Sequence, residues 1–357
     1  MATGSDTSSV KHIVAPPQDV PGLDVVLDGQ FGSTGKGLLA SVLAEYNSYH
    51  LFMTNNGPNA GHTAYYGDRK IVAKQLPVGA IYQFLKTGVI PLIYLNAGAI
   101  IEPTTLIKEC QEFGIAPSEV IIHPNAAVIW PEHIEEESDT SSGAAKIAST
   151  GKGVGAALAA KIQRKACNIA KTEPRLELFD RRALRLDRMI QDGLKALYEI
   201  PQGFSLGINS EFYPNVTSRE CNVMQGLSDA HVHPDFVRRT YMCIRTYPIR
   251  VGNTSHGYSG DCYPDQKEVT WEEIKKTPET TTVTGRVRRV FTFSDSQYGR
   301  ALSVNRPNVV FANFMNYLTE EEQTAFSQRL MNVAFRDRHI PALLYGRGPR
   351  IEDVGAW

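Results

Sequence analysis

The chain has almost no net charge and no excess of basic residues. Its 37 lysines and arginines are matched by 38 aspartates and glutamates, which leaves a formal charge of −1. Proteins that bind nucleic acid usually present a positively charged surface to the phosphate backbone, and no apolar run approaches the roughly 20 residues that a membrane-spanning helix needs. We therefore expect small-molecule ligands, with neither nucleic acid nor a membrane as a partner.

Cysteines are also few, and they are scattered. No two of the five have the spacing of a zinc site; they are Cys110, Cys167, Cys221, Cys243 and Cys262. Reduced thiols in a cytoplasmic protein are the better interpretation. The first 22 residues lack the apolar core of a signal peptide and contain several polar residues and prolines. This composition predicts a loose tail over residues 1–22, followed by one domain over residues 23–357.

Short apolar runs alternate with helical patterns along the chain. Strands are predicted over residues 23–28, 89–95, 120–122 and 309–312. Helices are predicted over residues 38–46, 104–113, 156–170, 181–198, 271–276 and 320–337. This alternation is typical of an α/β fold with a mostly parallel sheet. No linker divides the chain, so we expect a single large domain with long loops over residues 55–79, 202–222, 252–267 and 280–297.

The pentapeptide Ser-Thr-Gly-Lys-Gly occurs twice, at residues 33–37 and 149–153. Small residues let backbone N–H groups converge on an anion, and the lysine and the start of a helix add positive charge. The first copy lies between a predicted strand and a predicted helix, which is the order of a phosphate-binding loop. It is not a standard P-loop, because the spacing from Gly29 to Gly35 is too long and Gly37 replaces the magnesium-binding hydroxyl. Two copies suggest two phosphate-bearing ligands; a chance duplicate among 29 glycines is the alternative.

Two other polar segments have residues suited to chemistry. His62 ends a glycine-punctuated loop, where it could donate a proton to an oxygen as charge develops. Residues 284–289 contain three arginines within four positions, and guanidinium groups bind carboxylates and phosphates through paired hydrogen bonds. A surface turn and a solvated strand end, respectively, are the alternatives. A nucleotide enzyme accounts for both segments and for the glycine loops.

Taken together and in order, these segments resemble the adenylosuccinate synthetase family. The matching segments are residues 30–37, 59–63, 149–155, 213–218, 250–252 and 284–288, within a resemblance that runs from residue 24 to about residue 350. The resemblance implies an α/β fold with a P-loop-related phosphate loop, a magnesium ion and a homodimer. It also implies an activity: a nucleoside triphosphate phosphorylates the 6-oxygen of a purine nucleotide, and the amine of L-aspartate then displaces that phosphate.

The resemblance assigns roles position by position. The catalytic residues would be Ser33, Lys36 and His62, and the metal would contact Ser33 and the carbonyl of Gly61. The donor nucleotide would contact Ser33, Thr34, Gly35, Lys36, Gly37, Gly61, His62, Thr63, Asn313, Gly348 and Pro349. The substrate nucleotide would contact Ser33, Asn59, Ser149, Thr150, Gln202, Thr217, Val251, Arg286 and, from the neighbouring subunit, Arg164. L-Aspartate would be held by Thr284, Arg286 and Arg288.

One departure from the family concerns the substrate. Ser33 stands where the family has an aspartate that acts as general base on purine N1 and as a magnesium ligand. Serine is smaller and uncharged, which makes room for a 2-amino group. This exchange resembles a bacteriophage branch of the family, which converts dGMP to N6-succino-2-amino-2′-deoxyadenylate for 2-aminoadenine DNA, in the host cytoplasm. An ordinary member acting on IMP, or a non-catalytic nucleotide-binding paralogue, is the alternative.

A second departure concerns the donor. The family reads the guanine of GTP with a Lys-x-Asp motif, and the matching residues here are Asn313, Phe314 and Met315. A methionine cannot accept the two N–H groups of guanine as a carboxylate can, so we expect ATP or dATP as the donor. With the aspartate absent, the N1 proton could pass to Asp28, to a water or to the transferring phosphate.

Overall fold

The computed structural model describes residues 7–14, 20–165 and 168–356. Residues 1–6 and 15–19 of the predicted tail lie outside the described residues, and so does Cys167. The strands are β1 (Gly22–Asp28), β2 (Leu51–Thr54), β3 (His62–Tyr66), β4 (Arg69–Ala73), β5 (Leu92–Leu95), β6 (Ile100–Ile101), β7 (Val120–Ile122), β8 (Ala127–Val128), β9 (Lys195–Glu199), β10 (Val237–Arg245), β11 (Ile249–Arg250), β12 (Glu268–Val269), β13 (Arg289–Phe291), β14 (Val309–Asn313), β15 (Ala342–Gly346) and β16 (Val354–Ala356). The helices are α1 (Thr7–Val14), α2 (Lys36–Tyr46), α3 (Val78–Thr87), α4 (Pro103–Phe113), α5 (Pro131–Ser138), α6 (Gly143–Lys146), α7 (Val154–Ile162), α8 (Leu186–Gln191), α9 (Val223–Ala230), α10 (Asp295–Asn305) and α11 (Glu320–Arg336).

A nine-stranded sheet forms the centre of the molecule, in the order β16-β15-β14-β10-β1-β9-β2-β5-β7. Its pairs are parallel except at the edge, where β16 runs antiparallel to β15. Strand β1 is buried along its whole length: Val26 packs into the core on one face, and Val25 and Leu27 pack into the core on the other. Burial on both faces explains why residues 25–27 form an uninterrupted apolar run. The predicted α/β class with a mostly parallel sheet is confirmed.

The parallel arrangement brings the carboxyl ends of the central strands to one edge of the sheet. Asp28 ends β1, Glu199 ends β9, Arg245 ends β10 and Asn313 ends β14. In open α/β sheets, ligands bind in the crevice beyond this edge. The polar residues that follow these strands are therefore well placed to form a binding site.

Three predicted helices differ from the structure. The helix predicted over residues 181–198 is instead the short α8 followed by β9, which lies between β1 and β2 in the middle of the sheet. The sequence of β9, Lys-Ala-Leu-Tyr-Glu, has good helix formers, and its pairing with distant strands overrides that preference. Residues 271–276 form turns, and α7 ends at Ile162 rather than at residue 170. The loop predicted over residues 55–79 contains the β3–β4 hairpin.

Part of the predicted tail is ordered against the core. Residues 7–14 form α1, in which Val10 and Val14 are buried in a core cluster. The hydroxyl of Tyr241 donates a hydrogen bond of 3.0 Å to the carbonyl of Val14. This corrects the expectation of a loose tail for these residues, because two apolar side chains spaced one helical turn apart can be buried together. Within the described ranges, no helix is long and apolar enough to cross a membrane.

Candidate active site

A cavity of about 710 Å³ lies at the carboxyl edge of the sheet, walled by the loops that follow β1, β2, β9 and β14. The predicted site residues that line it are Ser33, Thr34, Gly35, Lys36, Gly37, Asn59, Gly61, His62, Thr63, Ser149, Thr150, Gln202, Thr217, Val251, Thr284, Arg288, Asn313, Gly348 and Pro349. Arg164 and Arg286 are not among the lining residues. The fold therefore gathers segments from the whole chain around one space large enough for more than one small ligand.

Asp28 organises the first glycine loop from beneath. The backbone N–H groups of Gln30 and Gly32 donate to its Oδ1, at 2.8 and 3.2 Å. The hydroxyl of Thr34 and Nζ of Lys36 donate to its Oδ2, at 2.5 and 3.2 Å. Asp28 is buried and does not line the cavity. Both of its oxygens are thus occupied in holding the loop, which removes Asp28 from the candidates for accepting the N1 proton.

The loop ends at an open helix N-terminus. Gly35 precedes α2 with φ of 96°, and none of the described side chains caps the helix. A Cβ at Gly35 would come within 2.0 Å of Nδ2 of Asn313, so only glycine fits there. Lys36, Gly37 and Leu38, in the first turn of α2, all line the cavity. Unpaired N–H groups, the helix dipole and a lysine together suit a phosphate group.

The second copy of the pentapeptide has a different environment. The carboxylate of Glu137, on α5, accepts hydrogen bonds from the backbone N–H of Gly153 at 2.7 Å, of Gly155 at 2.6 Å and of Ala156 at 3.3 Å. An internal anion already fills the N-terminus of α7. The expectation of a second phosphate cradle is therefore wrong for this helix end, although Ser149 and Thr150, at the start of the segment, still face the cavity.

The residues assigned to the substrate nucleotide form a connected wall. Nε2 of Gln202 donates a hydrogen bond of 3.1 Å to Oδ1 of Asn59, and the carbonyl of Gln202 accepts one of 2.8 Å from Nζ of Lys36. Thr217 and Val251 line the same cavity. Lys36 thus joins the phosphate loop to this wall, so a nucleotide on one side and a phosphate donor on the other would meet at this lysine.

His62 is buried at the start of β3, with only 7% of its surface exposed. Neither ring nitrogen has a hydrogen-bond partner in the described protein. Its Nδ1 lies 3.8 Å from Oε2 of Glu199, a buried carboxylate that the backbone N–H groups of Val78 and Gly79 hold at 3.2 and 2.8 Å. Burial lowers the pKa of His62, Lys36 lowers it further, and Glu199 opposes both. Both ring nitrogens of His62 are therefore buried without a partner among the described residues, which leaves them free to bond an oxygen atom of a bound ligand.

A second buried network lies beside the arginine loop. Arg245, whose exposed fraction is 0%, forms ion pairs with Glu279 and donates a hydrogen bond of 3.2 Å to the carbonyl of Ser33. Glu279 also pairs with Arg288 at 2.8 Å. Burial raises the pKa of Glu279, but Arg245 and Arg288 outweigh it and hold that pKa at about 2. Our sequence reasoning missed Glu199, Arg245 and Glu279, since each gains its meaning from a partner far away in the chain.

The two predicted residues outside the lining have different surroundings. The guanidinium of Arg286 donates to the carbonyls of Ala148 and Ser149, both at 3.0 Å, and to that of Gly252 at 3.1 Å. The side chain of Arg286 therefore connects the backbone of residues 148–149 to that of Gly252. Arg164 is exposed just beyond α7. For both residues, direct contact with a substrate stays a prediction.

The segment opposite the phosphate loop has no carboxylate facing the cavity. Met315, which replaces the family's aspartate, is buried in the core. Asn313 is occupied locally: its Nδ2 donates to the carbonyl of Thr34 at 3.3 Å and its Oδ1 accepts from the N–H of Phe314 at 2.8 Å. Phe314, Gly348 and Pro349 line this end of the cavity. This surface suits a purine ring, and among its described residues it offers no carboxylate for the paired N–H groups of guanine.

Comparisons with known proteins agree with this geometry. The chain matches the family model for adenylosuccinate synthetase over residues 25–185 and 169–324. It is 38% identical to the N6-succino-2-amino-2′-deoxyadenylate synthase of Salmonella phage PMBT28, over 92% of this chain and 96% of that protein. It is 36% identical to the synthase of the same name from Vibrio phage phiVC8, over 93% and 97% of the two chains.

A solved structure is similar in fold as well. The succinoaminodeoxyadenylate synthetase of cyanophage S-2L, bound to dGMP and to dATP as an energy donor, superimposes with a TM-score of 0.82 at 30% sequence identity. The match covers 94% of this chain and 95% of that chain. The glycine loop, the cavity that it borders and the length of these matches lead to one conclusion: the chain is a member of the adenylosuccinate synthetase family.

Proposed function

We propose that this protein is a ligase that joins L-aspartate to C6 of dGMP, with ATP or dATP as the energy donor. In the first step, the terminal phosphoryl group of the donor moves to the 6-oxygen of the purine. In the second, the amine of aspartate attacks C6 and the 6-oxygen leaves as part of inorganic phosphate. The product is N6-succino-2-amino-2′-deoxyadenylate, a precursor of the 2-aminoadenine nucleotide.

The observation that supports dGMP over IMP most directly is the residue at position 33. Ser33 lines the cavity, and Arg245 holds its carbonyl from below at 3.2 Å. A small neutral side chain in this position leaves space, and no negative charge, where the 2-amino group of guanine would lie. The phage relatives named as N6-succino-2-amino-2′-deoxyadenylate synthases, and the cyanophage enzyme bound to dGMP, support the same substrate.

The chemistry follows from the groups that face the cavity. The open N-terminus of α2 and Lys36 bind the donor phosphates and neutralise charge as the phosphoryl group moves. His62 donates to the 6-oxygen, which makes that oxygen a better leaving group once it is phosphorylated. Arg288 and the threonines of its loop hold the carboxylates of aspartate. Because Asp28 is occupied, a water or the phosphoryl group itself accepts the proton from N1.

The donor is proposed to be ATP or dATP because the segment that would read guanine, residues 313–317, has no carboxylate. Met315 is buried, and the amide of Asn313 is occupied by the backbone around it. The dATP bound as energy donor to the cyanophage relative supports this assignment. GTP would then bind less tightly than ATP or dATP, because the N–H groups of its guanine would be buried without a carboxylate partner.

Magnesium fits this site as an ion bound mainly by the nucleotides. Among the residues that the structure describes, no group of three or more His, Cys, Asp or Glu side chains could hold a metal. Ser33 and Gly61 line the cavity and offer oxygen donors, and Mg²⁺ typically keeps water and phosphate ligands beside a few protein ones. When bound, the ion supplies charge neutralisation on the donor phosphates. We also expect a homodimer, in which the exposed Arg164 reaches the 5′-phosphate in the partner's site.

The exchange Ser33→Asp tests this function. We expect the wild-type protein to prefer dGMP to dIMP, and the variant to lose most of that preference because the carboxylate crowds the 2-amino group. The measurement is the ratio of kcat/KM for the two nucleotides, with saturating aspartate, ATP and magnesium. A ratio that stays the same, or moves towards dGMP, would remove Ser33 as the element that selects the base.

A further inference from the structure

We propose that Glu279 is a positioning residue for aspartate, which holds one edge of Arg288 so that the opposite edge faces the incoming carboxylate. The identity of the amine substrate rests on the proposed function above. The role of Glu279 itself rests on a set of contacts that neither the resemblance nor the comparisons assign.

Glu279 is anchored from behind by Arg245. Nη2 of Arg245 donates to Oε1 of Glu279 at 2.5 Å, and Nη1 donates to Oε2 at 3.1 Å. The hydroxyl of Tyr317 donates a further bond to Oε1 at 2.8 Å. Arg245 is itself fixed, since its guanidinium lies 3.8 Å from the centre of the Phe314 ring and bonds the carbonyl of Ser33. The Glu279 carboxylate is therefore part of a rigid support.

Arg288 is held by this support at one edge only. Its Nη1 donates to Oε2 of Glu279 at 2.8 Å. Its Nε is buried and has no hydrogen-bond partner in the part of the chain that the structure describes. The backbone is pinned as well, because Nε1 of Trp271 donates to the carbonyl of Arg288 at 2.8 Å. Arg288 lines the cavity, and its unpaired Nε is the donor that we assign to the substrate carboxylate.

The alternative to a positioning role is that aspartate displaces Glu279. Glu279 could stand in for the substrate carboxylate and leave Arg288 when aspartate binds. The paired bonds to Arg245 argue against this, because a fully buried guanidinium would lose its counter-charge if Glu279 moved. The two roles predict opposite effects on aspartate binding when the negative charge at position 279 is removed. A positioning role predicts weaker binding. Displacement of Glu279 by the substrate carboxylate predicts tighter binding.

The test compares Glu279→Gln with the wild type in steady-state assays of phosphate release. We expect the KM for aspartate to rise by roughly 10-fold or more, the size of effect that loss of a charge-assisted hydrogen bond produces, while kcat changes by less than about threefold. The matched control is Glu173→Gln. Glu173 is also a buried carboxylate that pairs with an arginine, the partly exposed Arg175 at 2.7 Å, but it lies outside the cavity lining. The control should leave the KM for aspartate unchanged.

A double-mutant cycle separates positioning from general loss of structure. Arg288→Lys has no Nε–H edge, so it should raise the KM for aspartate, and adding Glu279→Gln to it should raise the KM little further. Calorimetric titration of L-aspartate into protein that holds the nucleotide and a non-hydrolysable ATP analogue provides the same comparison without turnover. Thermal unfolding of each variant, with Glu279→Asp as a milder substitution, identifies any that fail to fold.

Three results would overturn the proposal: an aspartate KM in folded Glu279→Gln that stays within twofold of the wild type, a KM that falls, or effects of the two substitutions that simply multiply. If the wild type turns over IMP instead of dGMP, the substrate assignment fails. The same cycle run with IMP still decides the role of Glu279. If no nucleotide supports phosphate release, the calorimetric comparison decides it.

Discussion

At the residue scale, the cavity combines tightly held groups with a few that lack partners. Lys36 and Asp28 are paired, whereas both ring nitrogens of His62 and Nε of Arg288 are buried without a hydrogen bond among the described residues. Buried polar groups are usually satisfied within the protein, so exceptions call for an explanation. In this site a nucleotide and an amino acid would supply the missing partners.

The first prediction concerns His62. His62→Ala should lower kcat by roughly 10²–10⁴-fold, the usual contribution of a general acid, because that contribution develops mainly in the transition state. The dissociation constants of dGMP and ATP, measured by calorimetry, should change by only a few-fold. His233→Ala serves as the control, since His233 is exposed and does not line the cavity. Near-normal turnover by His62→Ala would exclude the histidine from the mechanism.

At the element scale, two copies of one pentapeptide acquire different roles from their neighbours. The first follows β1 and leaves the N-terminus of α2 open to the cavity. The second precedes α7, whose first N–H groups bind Glu137 of α5. The pentapeptide is the same in both places. The two helix ends differ because a carboxylate occupies the first N–H groups of α7, whereas none of the described side chains caps α2.

The second prediction follows from this difference. Glu137→Ala should lower the free energy of unfolding by about 1–2 kcal/mol, as the loss of a helix cap does. It should also raise the KM for dGMP several-fold, because Ser149 and Thr150 lie at the start of the released segment. The control is Glu136→Ala, an exposed neighbour on the same helix. Chemical denaturation and initial rates provide the two measurements. Unchanged stability would show that Glu137 does not cap α7.

Local pattern was sufficient to predict some of these elements. Strands β1, β7 and β14 and the first glycine loop were predicted from apolar runs and turn residues, and their structures agree. The sequence of β9 predicts a helix, whereas its strand conformation depends on pairing with β1 and β2. Glu199 and Glu279 were missed for a related reason: His62, beside Glu199, and Arg245, which anchors Glu279, each lie more than 30 positions away in the sequence.

At the scale of the whole molecule, one sheet explains why segments from residue 33 to residue 349 share a cavity. Parallel strands end at the same edge, so the loops after β1, β2, β9 and β14 meet regardless of their distance in sequence. All the residues that the family resemblance assigned, except Arg164 and Arg286, line the cavity, since the resemblance linked motifs that composition could not link. It did not predict the ionic support behind Arg288, which only the assembled structure reveals.

We propose that this cavity catalyses ligation of aspartate to a guanine deoxynucleotide. The most direct test is phosphate release by the wild-type protein with ATP, magnesium and L-aspartate, comparing dGMP, GMP, IMP and dAMP, with the product mass determined in each case. We predict aspartate-dependent release with dGMP at the highest kcat/KM, a succino-adduct of matching mass, and no reaction with dAMP, which has no 6-oxygen to phosphorylate. Preferred turnover of IMP, or no aspartate-dependent release with any of the four nucleotides, would contradict the claim.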